Sequence, residues 1–239
     1  MRIRILCEGT TDLLLLQFIL QYKYGWTYSG FVENAETNRL VKRVLIKDGD
    51  KIEINSCGGI SNIPRIMEEV IQMVRYSTRQ EELYQKVIVM IDHDTITSNS
   101  EFLYRLNTEL SGDFDENYMN CWNPWPVESQ MFGMINVDLY IKCVPDYEVG
   151  AIENVMLDAL NIDAVEDDLI NKSTEFIRDI SIRQKRYLQK KSRISKAIFN
   201  TYFSIRAPEE KYDERARILS RFDWENNEIL NMNFGFLDF

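Results

Sequence analysis

The segment that most constrains this chain is Val87-Ile88-Val89-Met90-Ile91, an unbroken apolar run that ends on Asp92-His93-Asp94. A run without polar alternation suits a central strand of a parallel sheet, covered on both faces. Parallel neighbours need crossovers, usually helical, so the flanking sequence must alternate strand and helix. Arg2 to Cys7 reads as a short buried strand, and Leu13 to Tyr24 carries a helical apolar pattern with Thr10 or Thr11 as its N-cap. Leu40 to Ile46 and Lys51 to Ser56 flank Lys47-Asp48-Gly49-Asp50, the pattern of a hairpin. Ile63 to Tyr76 reads as a helix with Pro64 in its first turn. A polar helix over Ser100 to Leu110 precedes a loop rich in Asn, Trp and Pro. Leu139 to Val144 is a further strand, a helix starts near Gly150, and several helices follow from Asp163. The expected fold is α/β, with a central parallel sheet flanked by helices over residues 1–160. A mostly helical C-terminal region, residues 161–239, packs on it.

Composition narrows the function classes. The 239 residues carry a net charge of −10, which argues against coating DNA through a broad basic surface but allows a local grip on a backbone. No apolar run approaches the roughly 20 residues of a membrane helix, and the start of the chain has no signal-peptide pattern. Cys7, Cys57, Cys121 and Cys143 form no CxxC pair, and one histidine, His93, makes a zinc site improbable. Free thiols imply a reducing compartment, hence a cytoplasmic protein without a membrane partner.

In open parallel sheets, ligands sit beyond the carboxyl ends of the strands. Glu8 follows the first strand, and Asp92 and Asp94 follow the most buried one. Alternate residues of an extended segment point the same way, so Asp92 and Asp94 can share an ion while His93 turns elsewhere. Clustered carboxylates repel unless a cation lies between them, and Mg2+ (or Mn2+) prefers such hard oxygen ligands. The ordinary alternative is that each acid caps a turn or faces solvent. A DxD alone is weak evidence; Glu8-Gly9-Thr10-Thr11-Asp12 after one strand, Gly58-Gly59 before a helix and DxD after another strand are together more specific.

Leu6-Cys7-Glu8-Gly9-Thr10-Thr11-Asp12 resembles the first motif of Toprim domains, and Val89-Met90-Ile91-Asp92-His93-Asp94 resembles the second. Toprim domains are shared by primases, topoisomerases, ribosomal-RNA maturases and the OLD-like nucleases. Pro145-Asp146 through Gly150-Ala151-Ile152-Glu153 and the Lys196-Ala197 pair resemble a small, largely uncharacterised bacterial and archaeal Toprim-like family. The resemblance implies a Rossmann-like Toprim fold. It gives Glu8 the part of general acid/base or metal ligand, and Asp92 and Asp94 that of magnesium ligands. From the OLD-like pattern, Asp12 and Glu153 become further metal candidates. Both also read as acids favoured in a first helical turn. Gly58-Gly59 reads either as a close backbone approach to the site or as a plain strand-to-helix turn.

Arg183 to Lys196 holds Arg183, Lys185, Arg186, Lys190, Lys191, Arg193 and Lys196 without one acid. It is read as a surface for nucleic-acid phosphates, with Tyr187 available for stacking; the plain alternative is a solvated helix face balanced by Glu166, Asp167 and Asp168. Lys196 is also a candidate transition-state cation. These readings point to metal-dependent hydrolysis of DNA or RNA phosphodiesters, in RNA processing or phage defence. The rival is a non-catalytic metal- or nucleotide-binding module that works with a separate ATPase or as a homo-oligomer, since the chain has no GxxxxGK[ST] loop. Topoisomerase chemistry would need a nucleophilic tyrosine in a further domain, and primase activity a helicase- or zinc-binding partner domain.

Overall fold

Val87, Ile88 and Val89 are wholly buried, and the strand they form, β5 (Lys86–Asp92), lies inside a seven-stranded sheet. The computed structural model describes residues 1–33, 40–146, 148–184, 186–208, 219 and 222–239. The strands are β1 (Arg2–Cys7), β2 (Thr27–Glu33), β3 (Leu40–Lys47), β4 (Asp50–Ser56), β5, β6 (Trp122–Ser129) and β7 (Gly133–Val144), in the order β2-β3-β4-β1-β5-β7-β6. β1 pairs in parallel with β4 on one side and β5 on the other. β7 runs alongside β5: Asp138 N donates to Gln85 O at 2.8 Å, and His93 N donates to Val144 O at 2.9 Å. The parallel centre is thus as expected, but β2, β3 and β6 join it in antiparallel pairs, so the sheet is mixed.

β6 corrects the reading of residues 122–129 as a loop. Pro124 and Pro126 lack the N–H an inner strand needs, yet β6 is an edge strand, where proline is tolerated. Its alternation is regular, with Trp125, Val127 and Ser129 buried and Pro124, Pro126 and Glu128 exposed. β2 leaves no alternating signal in the sequence, because its adjacent Phe31 and Val32 are both exposed.

The helices are α1 (Thr10–Tyr22), α2 (Ile63–Tyr76), α3 (Ser98–Leu110), α4 (Ile152–Leu160), α5 (Ala164–Arg183), α6 (Lys191–Arg206) and α7 (Glu228–Phe234). α1 packs against β3 and β4. On the opposite face Leu6, Val87, Val89 and Ile91 join Met67, Val70 and Val74 of α2 and Phe102, Leu103 and Leu106 of α3 in one buried cluster. Each fully buried aliphatic side chain contributes about 1.5–3 kcal/mol relative to exposure, which favours the sandwiched strand over a solvent-facing one.

The chain divides into two compact units: residues Met1–Ile91 with Thr97–Cys143, and Asp92–Ile96 with Val144–Phe239. α4 therefore groups with the later helices, ahead of the 160/161 division drawn from the sequence. In this second unit α4 packs on α6 and α7, and α5 packs on α6. Asp163 caps α5 by accepting from Val165 N and Glu166 N. Tyr202 Oη and Arg206 Nε of α6 donate to the two oxygens of Glu166 on α5, at 2.7 and 2.8 Å. Among the described residues no helix is long and apolar enough to cross a membrane, and none of the four cysteines forms a disulfide.

Candidate functional site

In the first unit, Glu8 follows the carboxyl end of β1 and is half-buried. Its backbone is held by the glycine pair: Cys57 N donates to Cys7 O, and Gly59 N donates to Glu8 O, both at 2.8 Å. Gly58 and Gly59 have φ of 74° and 123°, conformations that side chains with a Cβ adopt poorly. Gly58-Gly59 forms the strand-to-helix turn between β4 and α2, and from it the Gly59 N–H reaches the Glu8 carbonyl. Gly9, rather than Thr10 or Thr11, is the N-cap of α1. The reason is Asp12, three residues on, whose Oδ2 accepts from Gly9 N at 2.7 Å and closes the first turn. Asp12 is buried, and one of its oxygens is thereby engaged in capping.

The second unit contains the other motif. Asp92 is buried and ends β5; Asp94 is half-buried. His93 between them is held through its backbone, with its N–H on Val144 O and its carbonyl accepting from Gly150 N at 2.8 Å. Its Nδ1 lies 3.0 Å from Pro145 O. The two aspartates turn instead to the helical half. Lys196 Nζ lies 3.0 Å from Asp92 Oδ2, and Lys190 Nζ 3.4 Å from Asp94 Oδ2. The two aspartates thus meet lysines of the α6 region, while His93 meets the backbone of Pro145.

Gly150 also leads into α4, where Ala151 N donates to Asn154 Oδ1 at 2.9 Å. A Cβ at Gly150 would lie 2.4 Å from that oxygen, so a larger residue there would displace the Asn154 side chain. Glu153, in the first turn of α4, is completely buried. The Gly150–His93 hydrogen bond thus ties the lead-in of the Glu153 helix to the DxD segment.

The basic segment is not one helix face. Arg183 ends α5 and pairs with Asp179 at 2.8 Å, Lys190 caps α6, and Lys191 opens it. Lys185 lies outside the described residues. Arg186, Lys191 and Arg193 are exposed, as is Tyr187, whose ring lies 5.3 Å from the Arg186 guanidinium. Lysines at the start of α6, with no acid in its first turn, oppose the helix dipole. That start is strongly electropositive, and its N–H groups and lysines both favour an anion.

Among the described residues no group of three or more His, Cys, Asp or Glu side chains is arranged to hold a metal ion. The sequence anticipated Lys196 near the site; it placed Lys190 only on the nucleic-acid surface, whereas Lys190 meets Asp94. The sole signal for that contact was the acid-free character of the segment.

A family model described as "Protein of unknown function (DUF3226)" matches residues 2–234. No curated protein matches the chain. The crystal structure of a hypothetical protein from Pyrococcus horikoshii OT3 resembles it with a TM-score of 0.47 and 17% identity, covering 94% of this chain and 96% of that one.

Proposed function

This chain belongs to the DUF3226 family of proteins of unknown function, and we propose that it is a Toprim-like, metal-dependent phosphodiesterase of nucleic acid. The observation that carries the reading is the pairing of Asp92 with Lys196 and of Asp94 with Lys190 at the electropositive start of α6. Carboxylates and lysines set against one another are the groups phosphoryl transfer needs: acids for a metal, cations for the phosphate.

Asp94 Oδ1 is buried without a hydrogen-bond partner, an acceptor of the kind a divalent cation takes. Magnesium usually keeps several waters and binds through one or two carboxylates, so Asp92 and Asp94 fit it without a third protein ligand. Asp92 and Asp94 would hold the ion, and its chemistry there would be activation of water and stabilisation of charge on a phosphoryl oxygen. Lys190 and Lys196 would supply positive charge to the phosphate beside that ion, and Lys191 and Arg193 would contact the strand. His93 fixes the backbone between the two acids. By resemblance alone Glu8 is the candidate general acid/base; within the first unit its carbonyl accepts from Gly59 N. Asp12 and Glu153 are further ligand candidates by resemblance alone.

The test is incubation of the full chain with Mg2+ or Mn2+ and with single- and double-stranded DNA and RNA. Metal-dependent cleavage that Asp92→Asn abolishes is expected; equal cleavage by that variant overturns the mechanism. The same ion pairs favour a second reading, a non-catalytic module partnered with an ATPase, because lysines already neutralise both acids. Metal binding by calorimetry without cleavage of any substrate selects that reading.

A further inference from the structure

A second charged cluster, in the first unit, stands apart from the acidic motifs. It lies toward the amino ends of β1 and β4, whereas Glu8 follows the carboxyl end of β1. Register places Arg2 beside Lys51 and Arg4 beside Glu53, while Lys42 reaches the same spot from β3. Five donors converge on one carboxylate. Glu53 Oε1 accepts from Lys51 Nζ at 2.7 Å and from Arg2 at 3.1 Å. Glu53 Oε2 accepts from Arg4 at 2.5 Å, Tyr84 Oη at 2.9 Å and Lys42 Nζ at 3.1 Å.

A carboxylate offers about four lone-pair sites, so Glu53 is saturated while its cations retain spare N–H groups. Four cations against one acid leave three positive charges together, and among the described residues Glu53 is the only carboxylate these four pair with. A purely structural network would balance its charge, because burying excess like charge is costly. Arg4 makes the excess concrete: it is 5% exposed, and its Nε has no hydrogen-bond partner. Lys42 and Lys51 have side chains 25% and 39% exposed, which opens the cluster to solvent on one side.

We propose that the Arg2–Arg4–Lys42–Lys51 cluster is a binding site for a phosphate group. A dianionic, many-oxygen ligand offsets most of the surplus charge and accepts the N–H groups Glu53 cannot. Arginine and lysine together are suited to phosphate, the first through its planar fork and the second as a point charge. The site uses none of the residues of the proposed hydrolytic centre.

The experiment is calorimetry of the full chain with three probes: inorganic phosphate, a nucleoside 5′-monophosphate, and an oligonucleotide with a free 5′-hydroxyl. Binding of phosphate that weakens at least about tenfold in Lys42→Gln/Lys51→Gln is expected. Tighter binding of the monophosphate, with the oligonucleotide unaffected by the substitutions, identifies a phosphomonoester as the ligand. Oligonucleotide binding weakened by them identifies a strand phosphate. Should the double variant lose its circular dichroism melt, Lys51→Gln alone, at the most exposed position, replaces it. Asp92→Asn is expected to retain phosphate binding. Failure to bind any probe, binding equal in the lysine variants, or loss in Asp92→Asn alone overturns the proposal.

Discussion

Lys196 Nζ and Asp92 Oδ2 lie 3.0 Å apart across 104 residues of sequence. Asp92 is buried whereas Lys196 is about one-third exposed, so the lysine can leave the pair at lower cost than the aspartate. Lys196→Gln is expected to reduce metal-dependent cleavage by at least about 10-fold, an effect of the size seen when charged partners beside a metal are removed. It should destabilise the fold by only about 1–2 kcal/mol. Cleavage rates and urea melts on the same preparations separate the two effects; a full rate with a lowered melt would make the lysine purely structural.

Glu53 makes acid stability sensitive to one residue. Burial raises its carboxyl pKa, but Lys51, Lys42 and Arg4 outweigh that and hold it well below the usual carboxylate range. A depressed folded pKa contributes stability fully present above the ordinary glutamate value of about 4.3 and lost as pH falls below it toward the folded value. Thermal melts should therefore drop between about pH 5 and pH 2. In Glu53→Gln, stability at pH 7 falls by about 3–5 kcal/mol because buried cations lose their partner, and this component of the acid slope disappears. An unchanged slope would place the acid sensitivity elsewhere.

Gly59 has φ 123° and ψ 156°, a region essentially confined to glycine. Gly59→Ala should cost about 1–3 kcal/mol and lower the melting temperature by about 2–4 °C per kcal/mol for a chain of this length. Its N–H holds the Glu8 carbonyl, so cleavage should fall further than stability alone explains. Gly49→Ala, at a hairpin turn with φ 89°, is the control with a positive φ in a turn away from Glu8.

The thiols should separate sharply. Cys57 is buried, and burial pushes its pKa up to about 12. Cys7 and Cys143 are buried as well, and Cys121 alone is exposed. A thiol reagent at pH 8 should label one cysteine rapidly in the native protein and all four in guanidinium. Labelling of Cys57 at the rate of Cys121 would contradict the burial.

Tyr202 provides an alkaline counterpart. Burial raises its pKa first, and the hydrogen bond it donates to Glu166 raises it further. A raised folded pKa for an acid means stability present below the ordinary tyrosine value of about 10 and lost as pH climbs above it. Tyr202→Phe should cost about 1.5–3 kcal/mol, the range for a buried hydrogen bond to a charged group. A denaturant midpoint unmoved at pH 7 would show that Arg206 alone suffices for Glu166.

The parts of the fold readable from sequence were those where one local signal dominated. The apolar run of β5, the glycine pair before α2, and Pro64 at the start of α2 each permit few backbone conformations. What stayed hidden was decided by position in the sheet. The prolines of β6 mean a loop in an inner strand and are harmless on an edge. The site divides the same way. The position of Asp92 at the end of β5 followed from the apolar run before it, whereas the partners Lys190 and Lys196 depend on tertiary placement of α6. The Glu53 cluster left no local trace, because its members come from β1, β3, β4 and the turn before β5, and each alone resembles an ordinary strand charge.

The chain crosses between its two compact units at Ile91/Asp92, Ile96/Thr97 and Cys143/Val144. The five residues Asp92–Ile96 are therefore a loan from the middle of one unit to the other, and no single cut separates the units cleanly. A fragment ending at Cys143 retains both aspartates but loses Val144, Pro145 and Gly150, which hold His93, together with both lysines. A fragment starting at Val144 has Lys190 and Lys196 and no DxD. The acidic motif can be transplanted or inherited intact only when the whole interleaved chain travels with it.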